Sequence, residues 1–85
     1  MVRYMLIETF FEGCLEKAYK RFHEKGRMLP EGLAYLDSWL TADGSRCFQM
    51  METDNRELLE AWMKHWDDLV SFEVYEIGAK PQRDE

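Results

Sequence analysis

The period of the apolar residues changes four times along this chain, and the order of those changes leaves very few topologies open. Val2 to Phe10 is a nine-residue, mainly apolar run in which Tyr4, Ile7, Thr9 and Phe10 favour extended backbone, and it stops at Glu12-Gly13. From Cys14 the spacing becomes helical. Leu15, Ala18, Tyr19 and Phe22 share one face; Glu16, Lys17, Lys20, Arg21 and Glu24 share the other, with Glu16 four residues before Lys20. Gly26 is placed to end that helix, and Pro30 and Gly32 keep residues 27–32 irregular. Leu33 to Thr41 alternates again, Arg46 to Glu52 is a further β-type run, and Asp43-Gly44 between them signals a hairpin. Asp54, with Glu57 reaching back, can cap a second helix whose stripe is Leu58, Leu59, Trp62, Trp66 and Leu69. Ser71 to Ile77 supplies the last strand.

The order is therefore βαβ followed by βαβ. Right-handed crossovers place both helices on one face of a four-stranded antiparallel sheet, an α+β, ferredoxin-like βαββαβ sandwich. Residues 1–78 are expected to form this one domain, and the polar residues 79–85 a frayed tail.

Composition narrows the function classes. A chain of 85 residues buries only a modest share of its surface, so a partner subunit is expected from size alone. The net charge of −6, without a local basic cluster, disfavours nucleic acid. The faint likeness of residues 46–51 to the aromatic strand of RNA-recognition domains fails on missing glycines and on the same charge. No run of about 20 apolar residues spans a bilayer, and the start of the chain does not read as a signal peptide, so the expectation is a cytoplasmic protein with no membrane partner. Cys14 and Cys47 read as free thiols. His23 and His65 lack a second ligand at metal spacing, so neither metal nor haem is expected, and no cofactor.

Helices on one side leave the other side of the sheet to water, yet that side does not read as polar. A type I turn with Gly44 at the bulge position sets Trp39 opposite Cys47, Asp37 opposite Gln49 and Tyr35 opposite Met51 on the uncovered face, joined by Leu6 and Glu8. Leu36, Leu40, Phe48 and Met50 then face the helices. A two-residue turn would slip the register by one and bring Phe48 and Met50 beside Trp39 and Asp37 instead; the bulged turn is preferred. The exposed aromatic and aliphatic area favours a homodimer with its sheets face to face.

Gly26-Arg27-Met28-Leu29-Pro30-Glu31-Gly32-Leu33, Ser38-Trp39, Arg46-Cys47-Phe48-Gln49 and Trp62 to Trp66-Asp67-Asp68-Leu69 resemble a family of short bacterial proteins called domain of unknown function 3303. The resemblance implies a dimeric α/β barrel, a superfamily that includes cofactor-independent monooxygenases, muconolactone-type isomerases and haem-degrading enzymes. It carries over no catalytic residue.

The candidate ligand-binding residues are Tyr35, Trp39 and Met51 for shape and Glu8, Asp37 and Gln49 for polarity, around a small, partly apolar molecule held between the sheets. Asp37 and Glu8 are the candidate general bases, their pKa raised by burial and mutual proximity. A buried hydrogen-bond network that specifies dimer pairing explains the same residues without chemistry. Cys47 reads as a small buried hydrophobe rather than a nucleophile, and Trp62 and Trp66 as core. Two functions follow: ligand binding, with any chemistry cofactor-independent proton transfer or oxygenation, or a non-catalytic homodimeric interaction module.

Overall fold

The computed structural model describes residues 1–82. Its elements are β1 (Val2–Phe10), α1 (Cys14–Lys25), β2 (Leu33–Leu40), β3 (Arg46–Thr53), α2 (Arg56–Met63) and β4 (Val70–Ile77). The strands form one antiparallel sheet in the order β2-β3-β1-β4, the ferredoxin-like arrangement, with both helices on one face. Residues 78–82 follow β4 without regular structure; the rest of the expected tail, 83–85, lies outside the described residues.

Both helices start as local chemistry dictates. Gly13 turns into α1 at a φ of 73°, a left-handed conformation that suits glycine. The cap of α2 is Asn55, not the expected Asp54: its side chain accepts from the Glu57 N–H at 3.0 Å. The helix also stops earlier than its apolar stripe. Past Met63 the chain tightens, with His65, Trp66 and Leu69 each bonded to the carbonyl three residues back. Trp66 and Leu69 thereby stay on the buried side after the α-helix has ended.

The core joins Tyr4, Leu6, Leu33 and Met51 of the sheet to Leu59 and Trp62 of α2 and to Trp66 and Leu69 beyond it. By contrast α1 buries only Cys14, at its first turn. Its C-terminal half is tied by Arg21, which grips the Asp68 carboxylate through two bonds of 2.8 and 2.7 Å and donates to the His65 carbonyl at 2.7 Å. Held at Cys14 and Arg21, α1 leaves a gap to the sheet along Ala18, Tyr19 and Phe22.

The hairpin overturns the preferred register. Trp39 pairs with Phe48 and Asp37 with Met50, as the slipped alternative required, while a bulge at Leu36 keeps Tyr35 opposite Met51. The loop is one residue longer than the bulged turn because the Asp43 carboxylate binds the Thr41 hydroxyl, the Ser45 N–H and the Ser45 hydroxyl at 2.8, 2.9 and 2.7 Å. These bonds hold the Asp43 carboxyl at a pKa of about 2 and draw Ser45 into the turn, so that Thr41 bonds to Arg46.

A one-residue slip exchanges the faces. Leu6, Glu8, Cys47, Gln49 and Met51 point toward the helices, not away from them. Phe48 and Met50 lie on the uncovered face beside Ile7 and Met5, rather than under the helices. Leu36, at the bulge, is exposed, and Leu40 pairs with Cys47 on the helix side as expected. The uncovered face carries Trp39, Phe48 and Ile7 in one cross-strand row and Met50, Met5 and Tyr75 in the next, with Trp39 and Tyr75 about half exposed.

Candidate functional site

The gap under α1 is a cavity of about 320 Å³, at the small end of the range for ligand pockets. Its walls come from one face of α1 (Ala18, Tyr19, Phe22) and from Trp62 and Trp66; its floor is the sheet. Ala18 is the smallest side chain on that helical wall, and a larger one there would reach into the space between helix and sheet.

Polar groups converge on this floor. Glu8 of β1 is 8 % exposed and stands opposite Cys47 of β3. Burial pushes its carboxyl up to about 7, against the pull of a hydrogen bond from Cys47 and the positive charge of Arg27. The Cys47 thiol rises to about 11, through burial first and then the neighbouring Glu8 charge, so it stays protonated at neutral pH. Gln49 is buried, its amide donating to the Met51 sulfur at 3.3 Å. Ser38, past the bulge, shares a 2.6 Å hydrogen bond with the Tyr35 hydroxyl.

Arg27 completes the lining. Its guanidinium carbon lies 3.6 Å from the centre of the Tyr35 ring and 4.9 Å from that of Phe22, within cation–π range of both. The backbone beneath is held from α2 and its extension: the Trp62 and Trp66 indoles both donate to the Arg27 carbonyl, at 2.8 and 3.3 Å. The two tryptophans are core, as expected, and they also anchor the loop that carries this arginine.

Four of the six expected ligand-binding residues come together on the helix side: Glu8, Tyr35, Gln49 and Met51. Glu8 and Gln49 line the cavity, while Met51 is fully buried beside them. Asp37 and Trp39 do not join them. Both sit exposed on the opposite face, where Asp37 accepts from the Ser38 N–H at 2.8 Å. Glu8 and Asp37 are therefore separated by the sheet rather than paired, and the raised pKa of Glu8 comes from burial, not from a second carboxylate. The pocket expected between two sheets loses Glu8, Gln49, Tyr35 and Met51 to the covered side.

Arg27, Ser38, Ala18, Tyr19 and Phe22 were not among the expected site residues. A signal for Arg27 does exist in the sequence: two tryptophans on one buried helical stripe carry indole N–H groups that need acceptors, and the loop after Gly26 is the nearest irregular backbone. His23 and His65 are exposed and do not line the cavity, and the described residues contain no cluster of three or more metal-ligating side chains. No helix among them is long and apolar enough to cross a membrane.

Comparison with solved structures places this architecture among known ones. A structure described as an antibiotic biosynthesis monooxygenase aligns with a TM-score of 0.59 at 17 % identity, over 95 % of this chain and all of the other. Rv0793 from Mycobacterium tuberculosis aligns at 0.56 and 11 % identity, over 99 % of this chain and 100 % of its own. A variant of MhuD with two manganese protoporphyrin IX molecules bound per active site aligns at 0.51 and 15 % identity over the whole of both chains. At such identities the likeness is one of fold alone. No curated protein matches the sequence. The family model described as Domain of unknown function (DUF3303) matches residues 2–77, nearly the whole sequence, and the chain belongs to that family.

Proposed function

We propose that this chain binds a small, partly apolar molecule in the cavity between α1 and the sheet, as one subunit of a cytoplasmic homodimer. The observation that carries the reading is Glu8: a buried carboxyl with a pKa of about 7, set among aromatic walls next to a cavity. Such a group exchanges a proton near neutral pH with little driving force in either direction, as general acid–base chemistry requires. Any reaction is then a cofactor-independent proton transfer to or from the bound molecule, or an oxygenation that begins with one. The fold likeness to a protein described as a monooxygenase makes oxygenation worth assaying, though fold does not transmit activity.

The dimer reading rests on the uncovered face. Four strands of eight or nine residues present roughly 500 Å² of projected sheet, from strand spacings of about 4.8 Å and rises of about 3.3 Å. A stable interface buries about 800 Å² of accessible surface per partner. A second copy must therefore cover the whole corrugated face, which a two-fold, sheet-to-sheet contact does. Asp37 would then lie within or beside that contact.

The alternative, a non-catalytic homodimeric module, draws on the same face, because Met5, Ile7, Trp39, Phe48 and Met50 account for pairing with no ligand at all. A thermal-shift screen of a small-molecule library separates the two. Hits that vanish in Ala18→Phe, which fills the cavity, and persist in Trp39→Ser support the ligand reading. Hits lost in Trp39→Ser alone place binding on the wrong face, and no hits with an intact dimer favour the module.

A further inference from the structure

Among the described residues Arg27 is the one basic side chain that lines the cavity, and its surroundings are unusual for an arginine. The rings of Tyr35 and Phe22 lie 3.6 and 4.9 Å from its guanidinium carbon, contacts that use none of its five N–H donors. Among the described residues no carboxylate pairs with those donors and no acceptor bonds them. Arg21, the other partly buried arginine of the described residues, has used its donors on Asp68 and the His65 carbonyl. Arg27 is thus packed against two aromatic rings, next to a cavity, with its donors unbonded among the described residues.

The backbone is fixed at some cost to hold it there. Gly26 has a φ of 68° and Met28 a φ of 60°, so the residues on either side of Arg27 both have positive φ, and Met28 has a side chain that disfavours this. Two indole donors converge on the single carbonyl between them. Strain that the surrounding structure over-determines is a feature of ligand clamps, and here it aims one cation.

We propose that the cavity selects an apolar, aromatic molecule bearing one carboxylate, and that Arg27 is the residue that reads the charge; this rests on the cavity being the ligand site. The guanidinium edge matches a carboxylate in a two-bond fork, the walls of Phe22, Tyr19, Trp62 and Trp66 match a flat apolar body, and Ser38 and Gln49 supply neutral polar contacts. One cation beside an acid fits a monoanion. A phosphate dianion would meet a single countercharge and the Glu8 carboxyl in the same small space.

The test is isothermal titration of the wild-type protein with naphthalene carboxylate and with the isosteric, neutral naphthalene carboxamide, at pH 6.5. The wild type is expected to bind the carboxylate about tenfold or more tightly than the amide, a charge-assisted margin. Arg27→Gln brings the ratio to about one while amide binding persists, and Arg27→Lys restores part of the preference. Equal binding of both probes by the wild type overturns the charge assignment and leaves the cavity standing as a neutral site. A preference that survives in Arg27→Gln overturns the role of Arg27. Failure of both probes to bind overturns this proposal together with the ligand reading it rests on. The wild-type ratio decides the charge question even if a variant does not fold.

Discussion

Replacing Glu8 with glutamine keeps the shape of the cavity floor and removes its carboxyl titration, so the effect on stability has a calculable pH profile. The folded-state pKa is raised from the ordinary 4.5 to about 7. Below pH 4.5 the acid is neutral in both folded and unfolded chains, and its favourable contribution is complete. Between 4.5 and about 7 the unfolded chain releases the proton while the folded chain retains it, and stability falls as pH rises. Above about 7 the loss is complete and no longer changes. At about 1.4 kcal/mol per pH unit the total is about 3 kcal/mol. The other carboxylates titrate alike in wild type and Glu8→Gln, so they cancel in the difference. Urea denaturation of both proteins from pH 4 to 8.5, at one fixed protein concentration because pairing shifts apparent stability, reads that difference directly. Glu8→Gln should gain on the wild type by about 3 kcal/mol between pH 4.5 and 8, with most of the gain made by pH 7. A difference that stays flat within about 1 kcal/mol would mean that Glu8 is hydrated and of ordinary acidity, and the case for proton handling in the cavity would fail.

Phe48→Glu puts a charge at the middle of the uncovered face, where Phe48 lies between Trp39 and Ile7; light scattering after size exclusion should find a monomer where the wild type is a dimer, and a wild type that is monomeric at high concentration refutes the pairing. Trp62→Phe removes a 2.8 Å bond to the Arg27 carbonyl from a residue 3 % exposed, and should cost about 1–3 kcal/mol by urea denaturation and weaken any carboxylate preference; an unchanged midpoint and preference would show that the loop is held by other means. Gly32→Ala places a Cβ 2.8 Å from the Leu58 side chain at a φ of 96°, and should destabilise by at least about 1 kcal/mol; a neutral result would mean that Leu58 and the loop move aside.

The order of elements was legible because helical and extended periods differ sharply around Cys14 and around Asn55. The faces were not. In β1 the residues Tyr4, Leu6 and Glu8 alternate with Met5, Ile7 and Thr9, and both sets contain apolar side chains, so alternation identifies a strand without saying which side is covered. Such a two-sided apolar strand is what a sheet with helices on one side and a partner on the other requires. The register of β2 on β3 then depended on a turn whose length is decided by three hydrogen bonds to the Asp43 carboxylate, and on a bulge at Leu36 that no residue type announces. One residue of slip moved Gln49 and Cys47 under the helices. Glu8 and Gln49 are polar side chains within largely apolar strands, and the register that places them on the uncovered face in sequence is one residue away from the one that puts them under the helices. Arg27 was hidden by its loop: its importance lies in a backbone conformation fixed by two tryptophans 35 and 39 residues away.

The claim on which the rest depends is that the ligand site lies under the helices and not on the uncovered face. Isotope-filtered nuclear Overhauser spectra of the labelled protein with unlabelled naphthalene carboxylate test it most directly. Contacts from the ligand ring to Ala18, Phe22 and Trp62 are the predicted result. Contacts to Met5, Ile7 and Met50 instead, or none to any of these residues, would contradict it.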